Sequence, residues 1–288
     1  MSTGKRRYPA LAVALAHLSA AWEAPPAVLL AAVVGAVLFA QAFARLRRRR
    51  PDHAPWMRAL LFGAGLALLV LPLISPLDAA ADDRLLSAHM LQHVVVGDAA
   101  VALLVVAVRG PLLFFLLPPP VLRPLASFRP LRGLLAALLR PVVSLGLWAA
   151  AILVWHVPRV YDYAAAHPLV HDLEHLSFIA GGLLVWTQLV DPARHARLRR
   201  PQRIFFALAM LALAQPAVDF LLFSSSAHYG RYAHQPDRLF GLSPLTDQRL
   251  AGAVMMVEQL LTLGTCVAIL LRPYLRERRA RVPALSHR

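Results

Sequence analysis

Trp155-His156-Val157-Pro158-Arg159-Val160-Tyr161-Asp162-Tyr163, followed after three alanines by His167-Pro168-Leu169-Val170-His171-Asp172-Leu173-Glu174-His175, is the stretch that decides the fold. Apolar runs flank it, residues 134–156 before and 168–190 after. Each is near 20 residues, enough at about 1.5 Å per residue to cross a hydrocarbon core of roughly 30 Å. The stretch therefore reads as the tip of a hairpin of two spanning helices. That tip carries four histidines, two aspartates and a glutamate.

Outward from this hairpin the pattern repeats. Further spans are expected at residues 25–44, 57–75, 85–108, 204–223 and 249–271, which with the hairpin gives seven. The Pro- and Arg-rich segment 110–130 has an apolar part, 111–117, too short to span, and is expected to lie in the interface or re-enter. Of 288 residues, 59% are hydrophobic and 16% charged, which is too apolar for a soluble domain of this size. The net charge of +15 raises the possibility of nucleic acid, but the arginines sit in short loops between apolar runs, so no nucleic-acid partner is expected. The one cysteine, Cys266, lies within the last apolar run and excludes a disulfide framework or a thiolate cluster within one chain. The fold class is all-α and polytopic: a seven-helix membrane domain over 25–271 with a basic cytoplasmic tail over 272–288. Residues 1–24 read as a signal-like or interfacial segment, because Lys5-Arg6-Arg7 precede a short apolar run and Ser19-Ala20-Ala21.

Orientation follows from arginine placement. The loops after spans one, three and five, with the C-terminal segment, carry 22 arginines, whereas the opposite side carries Arg84, Arg159, Arg231, Arg238 and Arg249. Positive residues favour the cytoplasm, so the N-terminal end of span one is expected outside and the C-terminus inside. This topology puts His89, His93, His156, His167, His171, His175, His228 and His234 on the outer side, although they are scattered through the sequence.

Two spacings stand out. His89-Met90-Leu91-Gln92-His93 and His171-Asp172-Leu173-Glu174-His175 are both His-x-x-x-His. Residues i and i+4 share a helix face, so each pair can offer two imidazoles to one ion. A histidine near a span end can equally bond a carbonyl or an interfacial water, but two such pairs at one depth favour a metal. Imidazole suits copper and zinc, and thioether selects Cu(I). With Met90 beside His89, Met255 in the outer half of span seven, and no thiol pair, copper is the expected metal and zinc the next. His171-x-x-Glu174-His175 also matches an inverted zinc-protease pattern with Glu as base, but no third ligand at a supporting spacing accompanies it. Haem is a further alternative; pairs on single helices suit an ion better than a macrocycle held between helices.

Other polar residues complete the candidate site. His156 and Asp247 are candidate ligands beside Met255. Asp247 also reads as a cap opening span seven. Glu174, Asp162, Asp98 and Asp219 are candidate supporting or relaying groups, with Asp98 alternatively a hydrogen-bonding partner of a neighbouring helix. Trp155, Tyr161, Tyr163 and Trp186 read as interface anchors. The outer loop, residues 224–246, reads as a lid or docking surface.

Separated motifs then carry a resemblance. Ser87-Ala88-His89-Met90-Leu91-Gln92-His93, Trp155-His156-Val157-Pro158 with Tyr161-Asp162, Leu173-Glu174-His175-Leu176-Ser177-Phe178 with Gly181-Gly182-Leu183, and Leu245-Thr246-Asp247-Gln248-Arg249-Leu250-Ala251-Gly252 occur in order. Over roughly residues 57–271 the chain resembles the seven-span cytochrome c oxidase assembly factors of the CtaG type, associated with caa3 oxidases. The resemblance implies a bacterial inner-membrane protein that helps mature a haem-copper oxidase by supplying copper at the outer face, without catalytic turnover. It carries over His89, His93, His156, His171, His175 and Asp247, and implies oxidase subunits and an extracytoplasmic copper donor as partners. A scaffold for oxidase subunits that binds no metal is a further reading. Where the family is expected to have Met-Trp in its last span, this chain has Met255-Met256 and then Glu258.

Overall fold

The computed structural model describes residues 22–23, 25–195, 197–235 and 239–281. The signal-like segment 1–24 thus lies outside the described residues, apart from Trp22 and Glu23. Among the described residues the chain is all helical. In chain order the helices are α1 (Pro26–Arg49), α2 (Trp56–Ile74), α3 (Pro76–Asp83), α4 (Leu86–Val108), α5 (Pro111–Phe115), α6 (Pro119–Ser127), α7 (Arg129–Leu138), α8 (Pro141–Trp155), α9 (Pro158–Ala166), α10 (Pro168–Val190), α11 (Arg200–Phe223), α12 (Gly230–Ala233) and α13 (Pro244–Arg281). Eight of these start on proline, a residue suited to the first helical position, where its missing N–H has no intrahelical partner to lose.

Among the described residues six helices are long and apolar enough to cross a membrane: α1, α2 with the turn before it, α4, α10, α11 and α13. The seventh span expected from sequence, 134–156, is not one straight helix. It is divided between α7 and α8, which bend by 71° at Leu139–Arg140. The cause is Pro141. The residue before a proline is pushed out of helical geometry, and Arg140 takes an extended φ of −68° and ψ of 129°. Counting the bent pair as one span gives seven. The last helix is also longer than expected, running to Arg281 through Pro273. The segment 110–130 forms the short helices α5 and α6. Gln41 of α1 donates to the carbonyls of Phe115 and Leu116 at α5, at 3.0 and 2.6 Å.

The helix α4 is central: half of its span is buried inside the protein, against 17% for α1, whose Leu30, Val33, Val34 and Val37 face outward as lipid-facing residues would. It packs against α2, α10 and α13, while α8 lies along α10 and α11 along α13. Between Val95 and Ala99 the ladder of α4 widens into a π turn, a feature common at functional sites. Gly97 in that turn meets Gly182 of α10 so closely that no side chain fits between the backbones. The two helices run in the same direction from the same end, which brings Leu86–Val94 of α4 beside the first turns of α10.

The ends of the bundle differ. The helix-terminal and loop residues beyond α1, α4 and α10 carry the arginine clusters, and they converge: Arg58 donates to the carbonyl of Arg109, Gly110 to that of Pro192 at 2.7 Å, and Arg197 to that of Leu139 at 2.9 Å. The opposite end carries the histidines, α3, α9 and the loop around α12. Two expected interface anchors are instead interior. Tyr161 is 1% exposed and Trp186 is 4% exposed, because each has a buried polar partner, Tyr232 and Asp98 respectively.

Candidate metal centre

At the histidine end, α4 and α10 turn their His-x-x-x-His faces toward each other. Ring nitrogens of His89, His93, His171 and His175 all lie within 4.8 Å of one another. Ring centroids stand 4.1 Å apart for His89 and His93, 4.5 Å for His171 and His175, and 4.8 Å between His93 and His175 across the helices. All four Nε2 atoms are buried without a hydrogen-bond partner. Buried polar atoms are rarely left unpaired, and four in one place call for a shared partner. A metal ion is one partner that this donor set could share. Tetrahedral ligation at about 2.0–2.1 Å would bring the nitrogens to about 3.3 Å from one another.

Surrounding groups fix the rings. His89 Nδ1 lies 3.4 Å from the carbonyl of Ala81 and 3.3 Å from the hydroxyl of Tyr232. Tyr232 donates to Ala81 at 2.5 Å and bonds Tyr161 at 2.8 Å. Burial pushes both phenols above their ordinary range, so they remain proton donors at neutral pH. This leaves His89 Nε2 without a hydrogen-bond partner among the described residues, as a nitrogen available to a metal would be. Glu174 is 1% exposed, with Oε1 3.8 Å from His93 Nδ1 and no hydrogen-bond partner of its own. Asp82 of α3 stands 3.7 Å from His171 Nε2. A cavity of about 320 Å³, lined by Asp82, His89, Ala165, Pro168, His171 and Arg231, leads to the imidazoles from the end of the bundle.

The other candidates take different places. Asp247 is 2% exposed and not among the four; both its oxygens serve the start of α4. They accept from the amides of Leu86 at 2.7 Å and Ser87 at 3.1 Å, and from the Ser87 hydroxyl at 2.5 Å. It caps α4 rather than its own helix, as the cap read from sequence would have done. Asp162 accepts from the amides of Gly230 and Arg231 at 3.0 and 3.3 Å, which holds α12 and hence Tyr232 against His89. Asp98, in the π turn, bonds Trp186 and, at 3.3 Å, Thr262. Asp219 is exposed and bonds Gln215 at 2.9 Å. His156 and Met255 meet each other, with Nε2 and Sδ 3.3 Å apart, deeper than the four imidazoles and across Phe178. His167 and His234 each bond a carbonyl on the exposed surface.

Asp82, Tyr161 as a buried group, Arg231 and Tyr232 were not singled out from sequence as site residues. Asp82 belongs to an acidic run, Asp78 to Asp83, just before α4, and Tyr229 and Tyr232 lie in the loop read as a lid. Those two features were the available signals.

A polytopic helical membrane protein with four histidines gathered at one end of its bundle, two of them buried, is the class these observations define. Its family can be stated as well: the chain belongs to the cytochrome c oxidase caa3 assembly factors (Caa3_CtaG), whose family model matches residues 37–277. Neither a curated protein nor a solved structure matches it.

Proposed function

We propose that this chain assists maturation of a haem-copper oxidase by holding copper at the extracytoplasmic face of the bacterial inner membrane and passing it on as cargo. The observation that supports this reading is the convergence of ring nitrogens from His89, His93, His171 and His175, whose Nε2 atoms are buried with no hydrogen-bond partner among the described residues. The arginine distribution supports the orientation, with the N-terminal end of α1 and the histidine end outside and the C-terminal end of α13 inside. Imidazole accepts both copper and zinc. The family's tie to cytochrome c oxidase, a copper enzyme, favours copper.

The same donor count argues against turnover. A catalytic zinc keeps three protein ligands and an open position for water, whereas four imidazoles close the shell. That arrangement suits holding an ion better than the hydrolase reading of His171-x-x-Glu174-His175. Imidazoles converging on one point also suit an ion better than haem. The partners this implies are oxidase subunits and an extracytoplasmic copper donor whose ion enters through the cavity beside Asp82 and Arg231.

The test is metal analysis of detergent-purified protein reconstituted with Cu(I) under reducing conditions, wild type beside His89→Ala/His175→Ala. Bound copper that is reduced in the double variant is the expected result. Copper-free wild type would leave a scaffold role, and native iron with a Soret band or native zinc with chelator-sensitive peptidase activity would replace the copper reading.

A further inference from the structure

Beneath the four imidazoles lies a second cavity, of about 30 Å³, room for one ion or one water. Its wall includes Met90, His93, Asp98, His156, Met255 and Glu258. His156 is 5% exposed and Met255 1% exposed. His156 Nδ1 lies 2.6 Å from the carbonyl of Ile152. A carbonyl only accepts, so Nδ1 carries the ring proton and Nε2 presents a lone pair. That lone pair faces Met255 Sδ at 3.3 Å. A thioether also has no hydrogen to give. Two electron-pair donors thus face one another in a buried cavity with no proton between them, and a Lewis acid resolves the contact.

The chemistry of the wall selects the ion. Two thioethers and one imidazole are a soft set that favours Cu(I) over zinc. A monovalent cation held there by neutral ligands needs a counter-charge inside the membrane. Asp98 and Glu258 supply carboxyl groups in the same wall. His93 belongs to both the four-imidazole group and this wall, so an ion can pass between them without meeting lipid.

We propose that His156, Met255 and Met90 form a second, inner Cu(I) site, filled from the four-imidazole group by way of His93. The transfer is ligand exchange: bonds to imidazoles of the first group break as bonds to His156 and the thioethers form, and the ion stays Cu(I) throughout. The proposal rests on the reading that the four-histidine centre accepts copper, and it adds a second position of different selectivity.

The test is the metal-to-protein ratio of the full-length chain in detergent after loading with Cu(I) under reducing conditions, or separately with Zn(II). Wild type should approach two Cu(I) but one Zn(II). Met255→Leu preserves volume and should fold; Met90→Leu/Met255→Leu should retain one Cu(I) with unchanged zinc, and the sulfur shell in the copper X-ray absorption spectrum should vanish. One Cu(I) in wild type, unaltered by the methionine substitutions and ligated by nitrogen alone, overturns the inner site while leaving the outer one standing. Wild type that binds no copper overturns both.

Discussion

Gly182 of α10 lies so close to Gly97 of α4 that a Cβ at position 182 would fall on the Gly97 carbonyl oxygen. This contact, between the helices that carry the four imidazoles, sets their separation. Gly182→Ala should cost about 1–3 kcal/mol by overpacking, and it should move the two His-x-x-x-His faces apart. Gly35→Ala is the control, since no atom of the described residues lies within 4 Å of a Cβ there. Bound metal per chain and thermal unfolding in detergent check this. Equal metal content in the two variants would disconnect the glycine contact from the site.

Tyr232→Phe keeps the ring but removes the hydroxyl that contacts His89 Nδ1 and Ala81. Loss of an outer-sphere partner lowers metal affinity about 10–100-fold. Competition titration with a chelator of known affinity measures it. Tyr163→Phe, at an exposed ring, should leave affinity unchanged.

The four histidines should act as a set. Replacing any one of His89, His93, His171 or His175 by alanine should lower copper retention on a desalting column, whereas His167→Ala and His234→Ala should not. The latter two bond carbonyls at the surface. A retention loss at His167 equal to that at His171 would move the site toward the tip of the hairpin.

Asp78, in α3 outside the spans, has its pKa raised to about 6 by burial, partly offset by the 2.5 Å bond from Gln92. A carboxyl whose folded value exceeds its unfolded value of about 4 binds more protons in the folded state between those limits. Its contribution to stability therefore falls as pH rises from about 4 to about 6. Asp78→Asn, which stays neutral, should flatten the pH dependence of unfolding in that window. Unfolding midpoints measured across it provide the check, and parallel wild-type and variant profiles would assign the dependence elsewhere.

Much of the fold was legible because its signals are local. Apolar length located the spans, and i, i+4 spacing put His89 with His93 and His171 with His175. What brought the pairs together was not local. The π turn at Val95–Ala99 has no sequence signature, and the matching of Gly97 with Gly182 depends on two positions 85 residues apart that only the packed helices relate. Span four reads as one segment because its residues are mostly apolar on both sides of Arg140, whereas the proline at 141 determines the bend. Asp247 stands among the candidate ligands on the strength of the resemblance. Its side chain is instead occupied by the amides of Leu86 and Ser87. Sequence spacing cannot show that occupancy.

The cap from Asp247 has a consequence for synthesis. It reaches 161 residues back along the chain to Leu86, so the helix carrying His89 and His93 enters the membrane long before its final fastening exists. All four histidines have left the ribosome by the time Asp247 is made, yet the first turn of α4 is completed only when the last helix docks. A nascent or truncated chain ending before α13 would hold every imidazole and still lack a finished centre. Any metal loading at the four imidazoles would thereby be tied to the completed protein.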